Sequence, residues 1–225
     1  MRQRFFRAGR LSAGDVAVAL TLLVALLIAL NASEWLRGGF GWRWNYEAVP
    51  FLRLVPLILT SAVYVIGALV VLRRTQRAAP VLVWALVGGV ALALAGTAVR
   101  NPDVGYELFA RTASLATGQQ WAAVQVDWAA GEWRSWAEIM TRFGGRVSNV
   151  PPGAPMLYAL LADALDHVPA LAVPIQNALL PYQCNNYDLL AYTPGQWASS
   201  LLGMLMPLWA ALTVFPLYAL AKRFV

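Results

Sequence analysis

Charge, cysteine and histidine are all scarce in this chain. Asp, Glu, Lys and Arg make up 12% of the 225 residues, about half the share found in an ordinary soluble domain. That deficit argues against a chain surrounded by water on every side. A single cysteine, Cys184, excludes a disulfide within the chain. His167 is the sole histidine, so no His/Cys metal centre has enough ligands. No Gly-Lys-Ser/Thr loop is present to cradle a phosphate, no glycine fingerprint marks a dinucleotide fold, and no serine elbow occurs. The sequence thus identifies no cofactor. A divalent metal is compatible with its carboxylates, but no ligand spacing calls for one.

What the chain has in abundance is apolar length. Hydrophobic residues make up 60% of it, and the mean hydropathy is +0.57. Four stretches, 16–32, 54–72, 78–99 and 197–220, carry no charge at all. A helix of about 20 apolar residues crosses the hydrocarbon core of a bilayer. These stretches predict an all-α membrane protein with about four transmembrane helices. Three fall in an N-terminal region, 1–99, and the fourth in 197–225. Between them, 100–196 forms an extracytoplasmic tract of juxtamembrane helices.

The basic residues set the orientation. The formal net charge is +6 and the pI about 9.9. Arg2, Arg4, Arg7 and Arg10 precede the first apolar stretch, Arg73, Arg74 and Arg77 separate the second from the third, and Lys222 and Arg223 follow the fourth. Basic flanks stay in the cytoplasm, which predicts a multi-pass protein of the cell membrane with both termini inside. The basic excess is then a topology signal, with some attraction to anionic headgroups. Membrane lipid is the expected partner, nucleic acid is not, and no protein partner is identified.

The outer tract divides further. Residues 104–117 fit an amphipathic helix, with Asp103 as its N-cap and Gly118 as its stop. Trp121, Trp128, Trp133 and Trp136 predict that 119–140 rests at the headgroup level. Residues 156–165 are apolar but too few to span, and Asp163, Asp166 and His167 close them. They read as an interfacial helix begun by Pro151-Pro152-Gly153. Beyond it, Pro169, Pro174, Pro181 and Pro194 predict irregular chain up to the last span.

Carboxylates and arginines are the chemistry the tract has to offer. Asp103 lies just past the third apolar stretch, Glu107 follows one helical turn later, and Arg100 and Arg111 flank both. A carboxylate at a membrane rim can serve as a general base, and arginines at that level can hold phosphate. The plainer alternative is that Asp103 only caps a helix while Glu107 and Arg111 form a solvated i,i+4 pair. From spacing alone, the plainer alternative is the more frequent outcome.

The run Pro102-Asp103-Val104-Gly105-Tyr106-Glu107-Leu108-Phe109-Ala110-Arg111, with Leu115-Ala116-Thr117-Gly118, resembles the first outer loop of polytopic membrane glycosyltransferases of the GT-C superfamily. That superfamily includes protein O-mannosyltransferase-like and aminoarabinose-transferase-like enzymes. Asn149-Val150-Pro151-Pro152-Gly153-Ala154-Pro155-Met156-Leu157-Tyr158 is similar to the family's Pro-Pro segment before a juxtamembrane helix. Pro216-Leu217-Tyr218-Ala219-Leu220-Ala221-Lys222-Arg223-Phe224 resembles the inner end of its next span. The resemblance implies transfer of a sugar from a polyprenyl-phosphate donor to an extracytoplasmic acceptor. It implies Asp103 as the base, with Glu107 as a stand-in for the family's second acid. Tyr106, Arg111, Arg142, Arg146 and Asn149 become the candidate substrate-binding residues, the arginines stabilising the departing lipid phosphate.

Relatives of that kind continue with further spans, so the resemblance implies either the N-terminal part of such an enzyme or a shortened relative. A second function stays open beside it: a non-catalytic multi-pass scaffold or accessory subunit that binds lipid or a partner through the Trp-rich tract. A transporter is the least favoured, because the predicted spans carry no charged residue.

Overall fold

The computed structural model describes residues 13–29, 32–33, 50–75, 77–114, 118–143, 151–183 and 186–223. Among them every regular element is helical and none is a strand. The chain divides into two units, 1–48 and 49–225. The first contributes one helix, α1 (Ala13–Ala29). All other helices belong to the second.

The second unit begins with a helical hairpin. The helices α2 (Phe51–Arg74) and α3 (Ala78–Arg100) are each long and apolar enough to cross a membrane. Their outward faces are almost wholly apolar, as a lipid solvent requires. Small residues let the two approach: Gly88 lies against the Tyr64 ring and Gly67 against the Trp84 ring, where a Cβ would collide. The Tyr64 and Trp84 rings stack at 6.3 Å, and the Trp84 indole N–H donates to the Tyr64 carbonyl at 3.1 Å.

Pro102 ends α3. A residue before proline is driven out of the helical region, and Asn101 is extended. The next helix, α4 (Val104–Ala113), starts at once. Then follow α5 (Gln119–Gln125), a 3₁₀ turn over Glu132–Ser135, α6 (Trp136–Ile139) and a second 3₁₀ turn, Met140–Arg142. The four tryptophans of this segment differ in burial. Trp136 is buried with Ala122, Val126, Ile139 and Phe143, and Trp121 and Trp128 pack against them. Trp133 is the one of the four that is exposed.

Two helices follow, α7 (Gly153–Asp166) and α8 (Pro169–Leu179), meeting at 116°. The expectation of irregular chain after 166 was wrong for α8. Proline at a first helical position lacks only an N–H that has no partner there anyway, so Pro169 begins a helix instead of preventing one.

The last apolar stretch is broken as well. It consists of α9 (Pro194–Ser199), α10 (Leu201–Met204), α11 (Met206–Leu212) and α12 (Val214–Ala221), with a bend of 44° after α10. Pro207 and Pro216 each remove a backbone donor and crowd the carbonyl four residues back, and turns fall at Leu205 and Thr213, just ahead of them. The unit thus holds two unbroken helices of spanning length, or up to four spans if each bent pair counts as one. Helices of that length and apolarity indicate a membrane protein.

A small core ties the tract together. Phe109 of α4 stacks on Trp197 of α9 at 5.6 Å, and Leu179, Leu189 and Tyr192 close around them. The Trp197 indole is buried but satisfied, donating to the Leu189 carbonyl at 3.0 Å.

Candidate functional site

The junction of α3 and α4 gathers the charged groups that the sequence singles out. Asp103 precedes the first turn of α4, and its Oδ1 accepts the Tyr106 backbone N–H at 2.9 Å. An acceptor at that position satisfies one of the amides that a helix start leaves unpaired. The Asp103 backbone N–H in turn donates to the Asn101 side chain at 3.0 Å. The Asp103 carboxylate remains exposed to solvent.

Glu107 is different. It is buried, at 8% exposure, and the i,i+4 pair expected from spacing does form, with its carboxylate end withdrawn from water. Its Oε1 accepts from Arg111 Nε at 2.8 Å and from Arg100 Nε at 3.1 Å. The first contact is an i,i+4 pair along α4. The second joins the end of α3 to α4 across the Asn101-Pro102-Asp103 link. Two guanidinium groups offset the removal of one carboxylate from water, the condition under which such burial is tolerated. Arg100 and Arg111 themselves stay 70% and 50% exposed, so part of each cation faces outward.

Two further residues reach this place without a sequence signal of their own. Arg53, in the first turn of α2, donates from Nη1 to the Arg100 carbonyl at 3.5 Å. The α2–α3 hairpin brings it there from 47 positions away, and nothing local to Arg53 could have announced it. Tyr182 is the second. Its hydroxyl lies where a Cβ on Gly105 would stand, its ring meets Tyr106 edge-on at 6.3 Å, and it touches Phe109 at 6.0 Å. Gly105 in the Val-Gly-Tyr run was the available clue, since glycine marks a close approach.

The other candidates do not assemble in the same way. Tyr106 is half-buried beside Tyr182. Arg142 is exposed on its 3₁₀ turn and pairs with neither Asp103 nor Glu107 among the described residues. Arg146 and Asn149 lie outside the described residues. Among the described residues, no three His, Cys, Asp or Glu side chains converge as a metal site would require.

The geometry therefore offers one exposed carboxylate, one carboxylate locked between cations, and an arginine rim at the end of a helix long enough to span a membrane. Such a rim can hold an anion while Asp103 accepts a proton from a group nearby. Comparison with family models, with curated proteins and with solved structures yields no match.

Proposed function

We propose that this chain is a membrane glycosyltransferase, or the N-terminal part of one, that moves a sugar from a polyprenyl-phosphate donor to an acceptor outside the cytoplasm. The observation that carries this reading is the division of labour at the α3–α4 junction. Glu107 is committed to Arg100 and Arg111, which leaves the exposed Asp103 carboxylate as the group able to take a proton. Asp103 accepts the acceptor's hydroxyl proton, while Arg100 and Arg111 stabilise the lipid phosphate that departs. In this reading Glu107 is a positioning residue rather than a base, and Arg53 joins the phosphate rim. Residues 100–196 face outward, and both termini lie in the cytoplasm.

Replacing Asp103 by Asn separates charge from capping, because the two residues are nearly equal as N-caps. Membranes carrying the Asp103→Asn chain should lose transfer from a polyprenyl-phosphate hexose donor while the protein accumulates and melts as the wild type does. Undiminished transfer would refute the assignment.

The scaffold reading has one observation in its favour. Both acids already have structural employment, Asp103 as a cap and Glu107 as an ion-pair centre. Burial narrows the surface such a scaffold would use, because Trp136 is inside. Trp133, with the Arg134 guanidinium 5.6 Å from its ring, is the aromatic that faces outward. Lipid or partner binding that depends on Trp133 and ignores Asp103 would favour that second reading.

A further inference from the structure

Every acidic residue of the second unit falls between Asp103 and Asp188. The opposite end of its helices is basic. Arg73 and Arg74 end α2, Arg77 stands just ahead of α3, and Lys222 and Arg223 follow α12. In the sequence these are two groups, separated by the third apolar stretch, the whole outer tract and the fourth stretch.

The fold joins them. α4 continues from the end of α3, and α10 lies against α4, where Gly203 makes room for the Thr112 side chain. Residues 206–221 then run back along α3. A Cβ on Gly89 would stand 3.3 Å from that of Ala211, and α12 packs on α3 beyond this point. From Ala211 to Lys222 is about 16 Å at the helical rise, and from Gly89 back to Arg77 about 18 Å. Packed helices have axes about 8–10 Å apart. Both basic groups therefore meet at one level, around the start of α3.

Five cationic side chains gather there, and all five are exposed. Among the described residues none of them forms an ion pair. Apolar surface adjoins the charge. Leu69 lies one turn before Arg73 on the same face of α2, Leu220 comes three residues before Arg223, and both are exposed. Tyr218, one turn before Lys222, is exposed as well, and its ring suits the headgroup level. A ligand that fits carries an anionic head and a long apolar body. A soluble anion would leave the leucines uncovered. Separate basic flanks attract an anionic leaflet diffusely, whereas two flanks held at one level can share a single headgroup.

We infer that this end of the helices binds an anionic phospholipid. Its phosphate bridges the α2–α3 turn and the end of α12, while its acyl chains lie along the apolar faces of those helices. The inference rests on the membrane character of the chain and not on the transferase reading.

The test is native mass spectrometry of the full chain in detergent, with dioleoyl-phosphatidylglycerol or dioleoyl-phosphatidylcholine added. The two lipids share their acyl chains and differ in net charge. One phosphatidylglycerol should be retained, about tenfold or more tightly than phosphatidylcholine. Arg73→Gln with Arg74→Gln, or Lys222→Gln with Arg223→Gln, should each weaken that one lipid by about thirtyfold, at roughly fivefold for each cation. Arg134→Gln with Ala137→Glu lowers the net charge equally at exposed positions of the tract and should leave retention unchanged. The soluble anion glycerol 3-phosphate should not displace the lipid. Equal retention of phosphatidylcholine, an unchanged chain at either basic pair, an equal loss in the Arg134 and Ala137 control, or displacement by glycerol 3-phosphate would each overturn the inference. Melting curves confirm that each chain is folded, and the comparison of the two lipids on the wild-type chain needs no variant.

Discussion

Asp103 and Glu107 stand one turn apart on α4, yet the structure gives them opposite circumstances. Asp103 is exposed and accepts a backbone amide, whereas Glu107 is buried under two guanidinium groups. Their substitutions should differ accordingly. Asp103→Ala loses the cap and should cost about 1 kcal/mol of stability, which Asp103→Asn should not. Chemical denaturation of the three chains in detergent would show it. Glu107→Gln removes both ion pairs, but because Arg100 and Arg111 remain largely in water the loss should be modest, about 1 kcal/mol and smaller in high salt. A cost unaffected by salt would mean that packing, not charge, holds Glu107.

His167 permits a cleaner measurement, since it is the sole imidazole in the chain. Its pKa is raised above the usual 6.5, first by the hydrogen bond to the Asp163 carbonyl and then by the Asp163 charge. A raised folded-state value means that the imidazolium stabilises the fold at low pH. That contribution is complete below the unfolded pKa and disappears as pH climbs through the folded one. An NMR titration should place the midpoint above 6.5, and Asp163→Asn should lower it without restoring the unperturbed value. A midpoint at or below 6.5 would contradict the geometry at this turn.

Among the helices, α7 and α9 depend on one close approach. Asp166, at the end of α7, accepts from the Thr193 hydroxyl and the Gly195 N–H, so it helps cap α9 from outside. Thr193 and Gln196 add a reciprocal capping box. Gly195 allows the approach, because a Cβ there would collide with the Ala162 carbonyl and the Asp166 carboxylate. Gly195→Ala should therefore destabilise the tract by about 1–3 kcal/mol. A melting temperature equal to that of the wild type would refute this packing.

The sequence was most legible where length alone decides. The absence of charge marks residues 54–72 and 78–99 as spans, and α2 and α3 contain them. The Asp103 cap was legible too, because capping is local. Proline misled in both directions. Pro169 looked like a breaker and instead starts α8, while Pro207 and Pro216 lay inside a charge-free stretch and break it. The burial of Trp136 and Glu107 and the arrival of Arg53 depend on partners distant in sequence, which no local pattern encodes.

Among the described residues the regular elements are all helical, and the longest of them, α2 and α3, match the thickness of a bilayer. Sidedness can be read by thiol labelling in a Cys184→Ser background. If residues 100–196 face outward as proposed, a reporter at Ala137→Cys, an exposed position on α6, should react with a membrane-impermeant maleimide in intact cells. One at Arg77→Cys, in the basic turn between α2 and α3, should react only after lysis. The reverse pattern would invert the topology and remove Asp103 from the outer face.

The assignment of transfer to the α3–α4 junction is tested most directly by sugar transfer in membranes carrying the Asp103→Asn chain. Melting temperature should be read on the same preparation. The account predicts lost transfer at unchanged stability, since the cap survives and only the proton acceptor is gone. Full transfer at unchanged stability would contradict it and leave Asp103 as a helix cap alone.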